Sequence, residues 1–236
     1  MDDDEYAAGL RRTMSELTQH FSHPIDITTA LYRVTIAAVE LIDGVDFADV
    51  LLISGPDQFK SVAATSEIAS DLDDAQEHFQ EGPCLDAATG DPVTVCNDLR
   101  ADIRWPRFAK SAVAAGVHSM LSFRLYTHDF RAGALNLFGR NADVFTTDDE
   151  TLGAMLATQA AIALIAEDKQ LQFRSALASR DVIGQAKGMI MERFNIDAMS
   201  AFELLKKLSQ QSNTRLVEIA TELVSRGAEP TAEGER

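Results

Sequence analysis

Between Arg180 and Val224, apolar residues recur at three- and four-residue intervals in three separate runs. Short amphipathic helices packed on one another bury such stripes, and little else does. Val182, Ile183, Ala186, Ile190 and Phe194 make the first stripe, which Asn195 is placed to end. Asp197 is expected to cap a second helix carrying Ala201, Phe202, Leu205 and Leu208. Asn213 or Thr214 would cap a third, with Leu216, Ile219, Ala220, Leu223 and Val224 inside. The stripes predict a compact three-helix unit with Phe194 and Phe202 in its core. Lys187, Lys206 and Arg215 fall off the stripes or at their edges, and so reach solvent.

Charge sets this segment apart. The 236-residue chain carries 37 Asp and Glu against 21 Lys and Arg, a net −16. From Arg174 to Arg226, eight bases meet six acids, a local +2, which leaves −18 for the remainder. A cationic stretch in an acidic host is a candidate polyanion surface, because phosphate contacts supply most nucleic-acid affinity. The competing reading is a helical bundle with a solvated face of mixed charge.

Three blocks of residues carry a resemblance. They are Arg180-x-x-Ile183-x-x-Ala186-Lys187-Gly188, then Ala201-Phe202-x-x-Leu205-Lys206-x-x-Ser209, then Asn213-x-Arg215-Leu216-x-x-Ile219-Ala220. Together they resemble the ANTAR domain of bacterial transcription antitermination regulators. The resemblance implies binding to paired hairpins in a nascent leader transcript, as a homodimer, so that a terminator does not form. Arg180, Lys187, Gly188, Lys206, Ser209, Asn213 and Arg215 are the RNA-binding residues it implies. Lys206 stands where the family usually has Arg, which keeps the charge but loses the planar fork. A glycine inside a helix, as at Gly188, costs about 1 kcal/mol relative to Ala. It marks close approach, either by a neighbouring helix or by nucleic acid. Asn213 reads equally as a helix cap or as a base contact. With both phenylalanines assigned to the core, the segment offers no aromatic surface for RNA.

Upstream, periodicity predicts a helix over 6–21 and another over 26–42 capped by Asp26. Strands follow at 48–53 and 59–64 across Gly55-Pro56-Asp57-Gln58, then a helix over 68–80 that breaks at Gly82-Pro83. A short strand at 93–96, a helix at 105–115 and a strand pair at 117–126 and 132–138 complete the region. Thr146 or Thr147 caps a long last helix whose first turn holds Asp148, Asp149 and Glu150. The order fits an α+β domain, an antiparallel sheet flanked by helices. Glu81-Gly82-Pro83-Cys84-Leu85-Asp86-Ala87, Val117 to Leu125, and Gly133-Ala134-Leu135-Asn136-Leu137 resemble the GAF sensory domain. That resemblance implies a ligand or redox sensor with a small-molecule pocket, without naming the ligand. Cys84 reads as a redox thiol or, preferably, as a small buried hydrophobe. Trp105 reads as a pocket wall or as a core aromatic at a helix start.

Two cysteines make no disulfide framework, and the five histidines show no metal-ligand spacing with them. From Leu152 through Gly184 there is no proline and no glycine pair, so one helix is expected to run on. Heptad sampling through Leu152, Met155, Gln159, Ile162, Ala166, Lys169, Phe173, Ala176, Arg180 and Ile183 gives seven apolar positions of ten, an imperfect coiled coil. The competing reading packs 152–165 on the sheet and leaves a linker. The expected division is an N-terminal helix at 1–21, the GAF-like sensor at 22–166, a helical linker at 167–179, the ANTAR unit at 180–226 and a disordered tail at 227–236. No phosphate-loop, dinucleotide, nucleophile-elbow or zinc-protease motif is present, so a non-enzymatic regulator is expected. It is expected in the cytoplasm, off the membrane, with RNA as partner rather than DNA. The alternatives are a DNA-binding regulator with the same sensor, and an adaptor that binds no nucleic acid.

Overall fold

The computed structural model describes Ser15 and residues 26–55, 58–126 and 132–227. The helix expected over 6–21 and the tail from 228 lie outside these, Ser15 excepted, as do the turn centres at 56–57 and 127–131. The chain divides into two compact units, Met1–Asp168 and Lys169–Arg236.

The first unit is built on five antiparallel strands: β1 (Phe47–Gly55), β2 (Gln58–Val62), β3 (Val93–Cys96), β4 (Ser119–Tyr126) and β5 (Ala132–Gly139). Their order across the sheet is β2-β1-β5-β4-β3. Period-two alternation sends side chains to two opposite cores. Ala48, Val50, Leu121, Phe123, Leu135 and Leu137 face α1 (Ile27–Leu41) and the first turns of the long α5 (Thr147–Phe194). Phe47, Leu51, Met120, Ala134 and Phe138 face α2 (Glu67–Phe79), α3 (Pro83–Thr89) and α4 (Pro106–Ala114). A sheet covered on both sides must be apolar on both, as these strands are.

The helix ends follow local chemistry. Asp26 Oδ2 accepts from the Thr29 N–H at 3.2 Å, the expected cap. Of the two threonines before α5, Thr146 is the cap. Its N–H and hydroxyl donate to Asp149 Oδ2 at 2.8 and 2.7 Å, and its Oγ1 accepts from the Asp149 N–H at 3.3 Å. Gly153 lets this helix lie against the sheet, since a Cβ there would meet the Phe123 ring at 2.4 Å. The helix α3 was not expected: Gly82-Pro83 reads as a breaker, yet Pro83 occupies its first turn, where proline is tolerated.

In the second unit the rest of α5 packs with α6 (Ala198–Ser212) and α7 (Leu216–Gly227). Ala186, Ile190, Ala201, Leu205 and Ala220 are buried together, all on the expected stripes. Asp197 Oδ1 accepts from the Met199 and Ser200 N–H groups at 2.9 and 2.8 Å. Asn195 and Asn213 both adopt left-handed backbone, φ 50° and 52°, ending α5 and α6. Asn213 is thus the C-cap of α6, not an N-cap for α7, and Arg215 directly precedes α7. Phe194 and Phe202 are not core: they remain 60% and 41% exposed. Three alanines with Ile190 and Leu205 fill the centre of this bundle, and both rings lie outside it.

Candidate functional site

On α5, Arg180, Gly184, Lys187 and Gly188 succeed one another at helical spacing and share one face. A Cβ placed at Gly184 or Gly188 would meet nothing within 4 Å. Packing of a neighbouring helix therefore does not explain Gly188, which exposes bare backbone beside Lys187, as Gly184 does between Arg180 and Lys187. Among the described residues neither Arg180 nor Lys187 forms an ion pair. A groove of about 1070 Å³ lies here, lined by Arg180, Asp181, Gly184, Lys187 and, across from α6, Phe202.

Along α6, Phe202, Lys206 and Ser209 follow at four- and three-residue steps, which puts them on one face. Lys206 Nζ lies 3.6 Å from Glu203, and Arg215 Nε donates to Glu218 Oε1 at 2.7 Å. Both are exposed pairs, which are worth about 0–1 kcal/mol and hold neither cation firmly. Ser209 is committed differently: its hydroxyl donates to the Thr214 carbonyl at 2.6 Å and closes the α6–α7 turn. Asn213 shapes the same turn through its left-handed backbone and leaves its side chain exposed.

The first unit contains a polar row that breaks the apolar pattern of its sheet. Asp49, Asn136 and Ser122 are direct cross-strand neighbours on β1, β5 and β4, all with no exposed surface. Asn136 Nδ2 donates to Asp49 Oδ1 at 2.9 Å and, at 3.4 Å, to Asp73 Oδ1 on α2; Ser122 donates to its Oδ1 at 2.9 Å. Gln76 Nε2 donates to Asp73 at 3.3 Å, while its Oε1 accepts from the Cys84 N–H at 2.9 Å. Burial pushes Asp73 from 3.8 to about 7 and Asp49 well above its ordinary value, the latter raised further by the charge of Asp73. Asp49 Oδ2 and Asp73 Oδ2 are buried without a hydrogen-bond partner among the described residues. Both carboxyls are thus held toward their neutral, protonated forms.

Comparison with known families matches residues 25–165 to the GAF domain and residues 171–224 to the ANTAR domain. The chain belongs to the GAF domain family, with an ANTAR domain following. GAF is a sensor domain and ANTAR an RNA-binding antiterminator domain. No curated protein matches the chain. Among solved structures, the GAF–ANTAR chain is similar to free methionine-R-sulfoxide reductase from Neisseria meningitidis, with TM-score 0.54 and 14% identity over 72% of this chain and 96% of that one. It is also similar to the N-acylhomoserine lactone dependent LuxR family transcription factor CepR2 from Burkholderia cenocepacia, with TM-score 0.53 and 15% identity over 69% and 97%. At such identities the likeness concerns the fold alone.

Within the GAF domain, Glu81 and Gly82 lead from α2 into α3, which takes up Pro83 to Ala87. Glu81 Oε1 accepts from the N–H groups of Arg107 and, at 2.8 Å, Phe108, satisfying the first turn of α4. Gly82 has φ 151°, and a Cβ there would meet the Gln76 side chain at 2.3 Å. Trp105 is buried and donates from Nε1 to Asp86 Oδ2 at 3.0 Å, with the Arg104 guanidinium 4.0 Å from its ring centre. Cys84 has no exposed surface, and burial, then Asp73 and Asp49, raise its thiol well above the usual range. A thiol so placed stays protonated and behaves as a small packing group. Cys96 is also buried, and burial pushes it up to about 12. Among the described residues no three His, Cys, Asp or Glu side chains group to hold a metal, and no helix is long and apolar enough to cross a membrane.

The sequence pattern passed over Asp49, Asp73 and Gly184, and placed Phe202 in the core, where it is not. Polar residues interrupting β1, β4 and β5 at matched positions were a usable signal for the first. The shared helical phase of Phe202 with Lys206 was one for the last.

Proposed function

We propose that this GAF–ANTAR protein binds paired hairpins in nascent leader transcripts through the α5–α6 face of its ANTAR domain and opposes transcription termination. The observation that carries the reading is bare backbone at Gly184, between Arg180 and Lys187, and again at Gly188 beside Lys187, with neither cation in an ion pair among the described residues. A phosphate chain can approach such a helix more closely than any residue with a Cβ permits. Lys206 and Arg215 add cations held by weak surface pairs, and Asn213 an exposed amide. The GAF domain acts as the signal input, and the protein works in the cytoplasm, where transcripts emerge.

The active form is a homodimer. Leu171, Phe173 and Leu177 on α5 are 47%, 70% and 49% exposed, more apolar surface than one helix leaves open without a partner. Two RNA-binding units in one dimer suit a two-hairpin target through effective concentration.

A gel-shift titration of the full chain compares a two-hairpin RNA with duplex DNA of the same sequence. RNA is expected to bind at least tenfold more tightly. Lys187→Glu combined with Lys206→Glu should abolish RNA binding without loss of helical circular dichroism. Equal affinity for DNA, or normal RNA binding by the double variant, would overturn the proposal.

A further inference from the structure

Phe202 is a large aromatic side chain, 41% exposed, in a bundle whose core takes only small and aliphatic residues. It follows Ala201, which is fully buried, so the helix turns its ring away from the centre and onto the flank of α6. There it lines the same groove as Arg180, Gly184 and Lys187. Lys206 stands one turn further along the same face of α6. The groove therefore combines the Phe202 ring from α6 with Arg180, Lys187, the carboxylate of Asp181 and the bare backbone of Gly184 from α5.

We infer that Phe202 is a stacking platform for one unpaired nucleobase of an RNA hairpin loop, with the cations Arg180, Lys187 and Lys206 holding the phosphates on either side of that base. Stacking on an aromatic ring is how single-stranded loop bases are commonly held, and flanking cations make the backbone follow. Charge complementarity selects this occupant over an apolar peptide, which would leave Arg180 and Lys187 desolvated and unpaired. The absence of a Cβ at Gly184 leaves room for a base facing the ring. The inference rests on the RNA-binding reading above and assigns it a residue outside the cationic set.

The test begins with an RNA library of fixed stem and randomised loop, from which the full-length protein selects a hairpin. Each unpaired position of that hairpin is then made abasic in turn. One position is expected to lose about tenfold or more in affinity. Phe202→Leu, which keeps the apolar contact but removes the ring, should bind the intact hairpin as weakly and gain no further loss from the abasic substitution. Phe202→Tyr should restore the effect. The salt dependence should be the same for Phe202→Leu as for the parent, whereas Lys187→Gln should lower the slope by about one. Undiminished binding by Phe202→Leu overturns the inference and leaves the RNA-binding reading intact, as does an abasic penalty that persists in this variant. Failure to select any hairpin sinks the RNA reading itself.

Discussion

Single side chains of the GAF core set its response to pH. Asp73 has a folded value near 7 against an ordinary 3.8, so the folded state holds a proton that the unfolded state gives up. Stability is greatest below the lower value and falls as pH rises toward 7, by up to about 1.4 kcal/mol per pH step across that window. Urea denaturation between pH 4 and pH 8 measures this slope. Asp73→Asn, which keeps an acceptor for Gln76 and Asn136 and adds a donor for Asp49, is expected to flatten it. A slope unchanged by this substitution would mean that the buried pair is not what titrates. Phe202 illustrates the reverse problem at this scale: its stripe looks apolar, yet its neighbour Ala201 takes the central position and the ring is left 41% exposed.

Two glycines of one helix have opposite reasons to be there. At Gly153 an added Cβ runs into Phe123 at 2.4 Å, while at Gly188 it meets open space. Gly153→Ala is expected to destabilise the GAF domain by about 1–3 kcal/mol through overpacking. Gly188→Ala should stabilise its helix by about 1 kcal/mol and yet weaken RNA binding. Thermal melts and gel shifts on the two variants read both effects. RNA binding by Gly188→Ala that matches the parent would remove the close-approach role. The caps tell a related story, because Asp26, Thr146 and Asp197 are short polar side chains directly before apolar runs and work where the sequence places them. Helix α3 escaped notice, since seven residues begun by proline carry too little periodicity to stand out from a turn.

For the whole molecule, association is the property most open to measurement. Light scattering on the eluting protein is expected to give twice the 25.7 kDa chain mass, and Phe173→Glu to return it to one. A parent protein of single mass would remove the dimer from the proposed mechanism. The first turns of the long α5 follow the reading that packs 152–165 on the sheet. Leu152, Leu156 and Ala160 are buried against the sheet, while Met155 and Ile162 stay nearly half exposed. Periodicity, caps and turn residues were enough to place the strands, the long helix and the three-helix bundle, since each depends on neighbours within a few positions. They also located the cationic residues that flank the groove. What needed tertiary structure was every fact about proximity across the chain: the gathering of Asp49 and Asp73 on Asn136, the closing of Gln76 over Gly82, the exposure of Phe202. Those depend on which residues far apart in sequence exclude water from one another, and a linear pattern carries no distances of that kind.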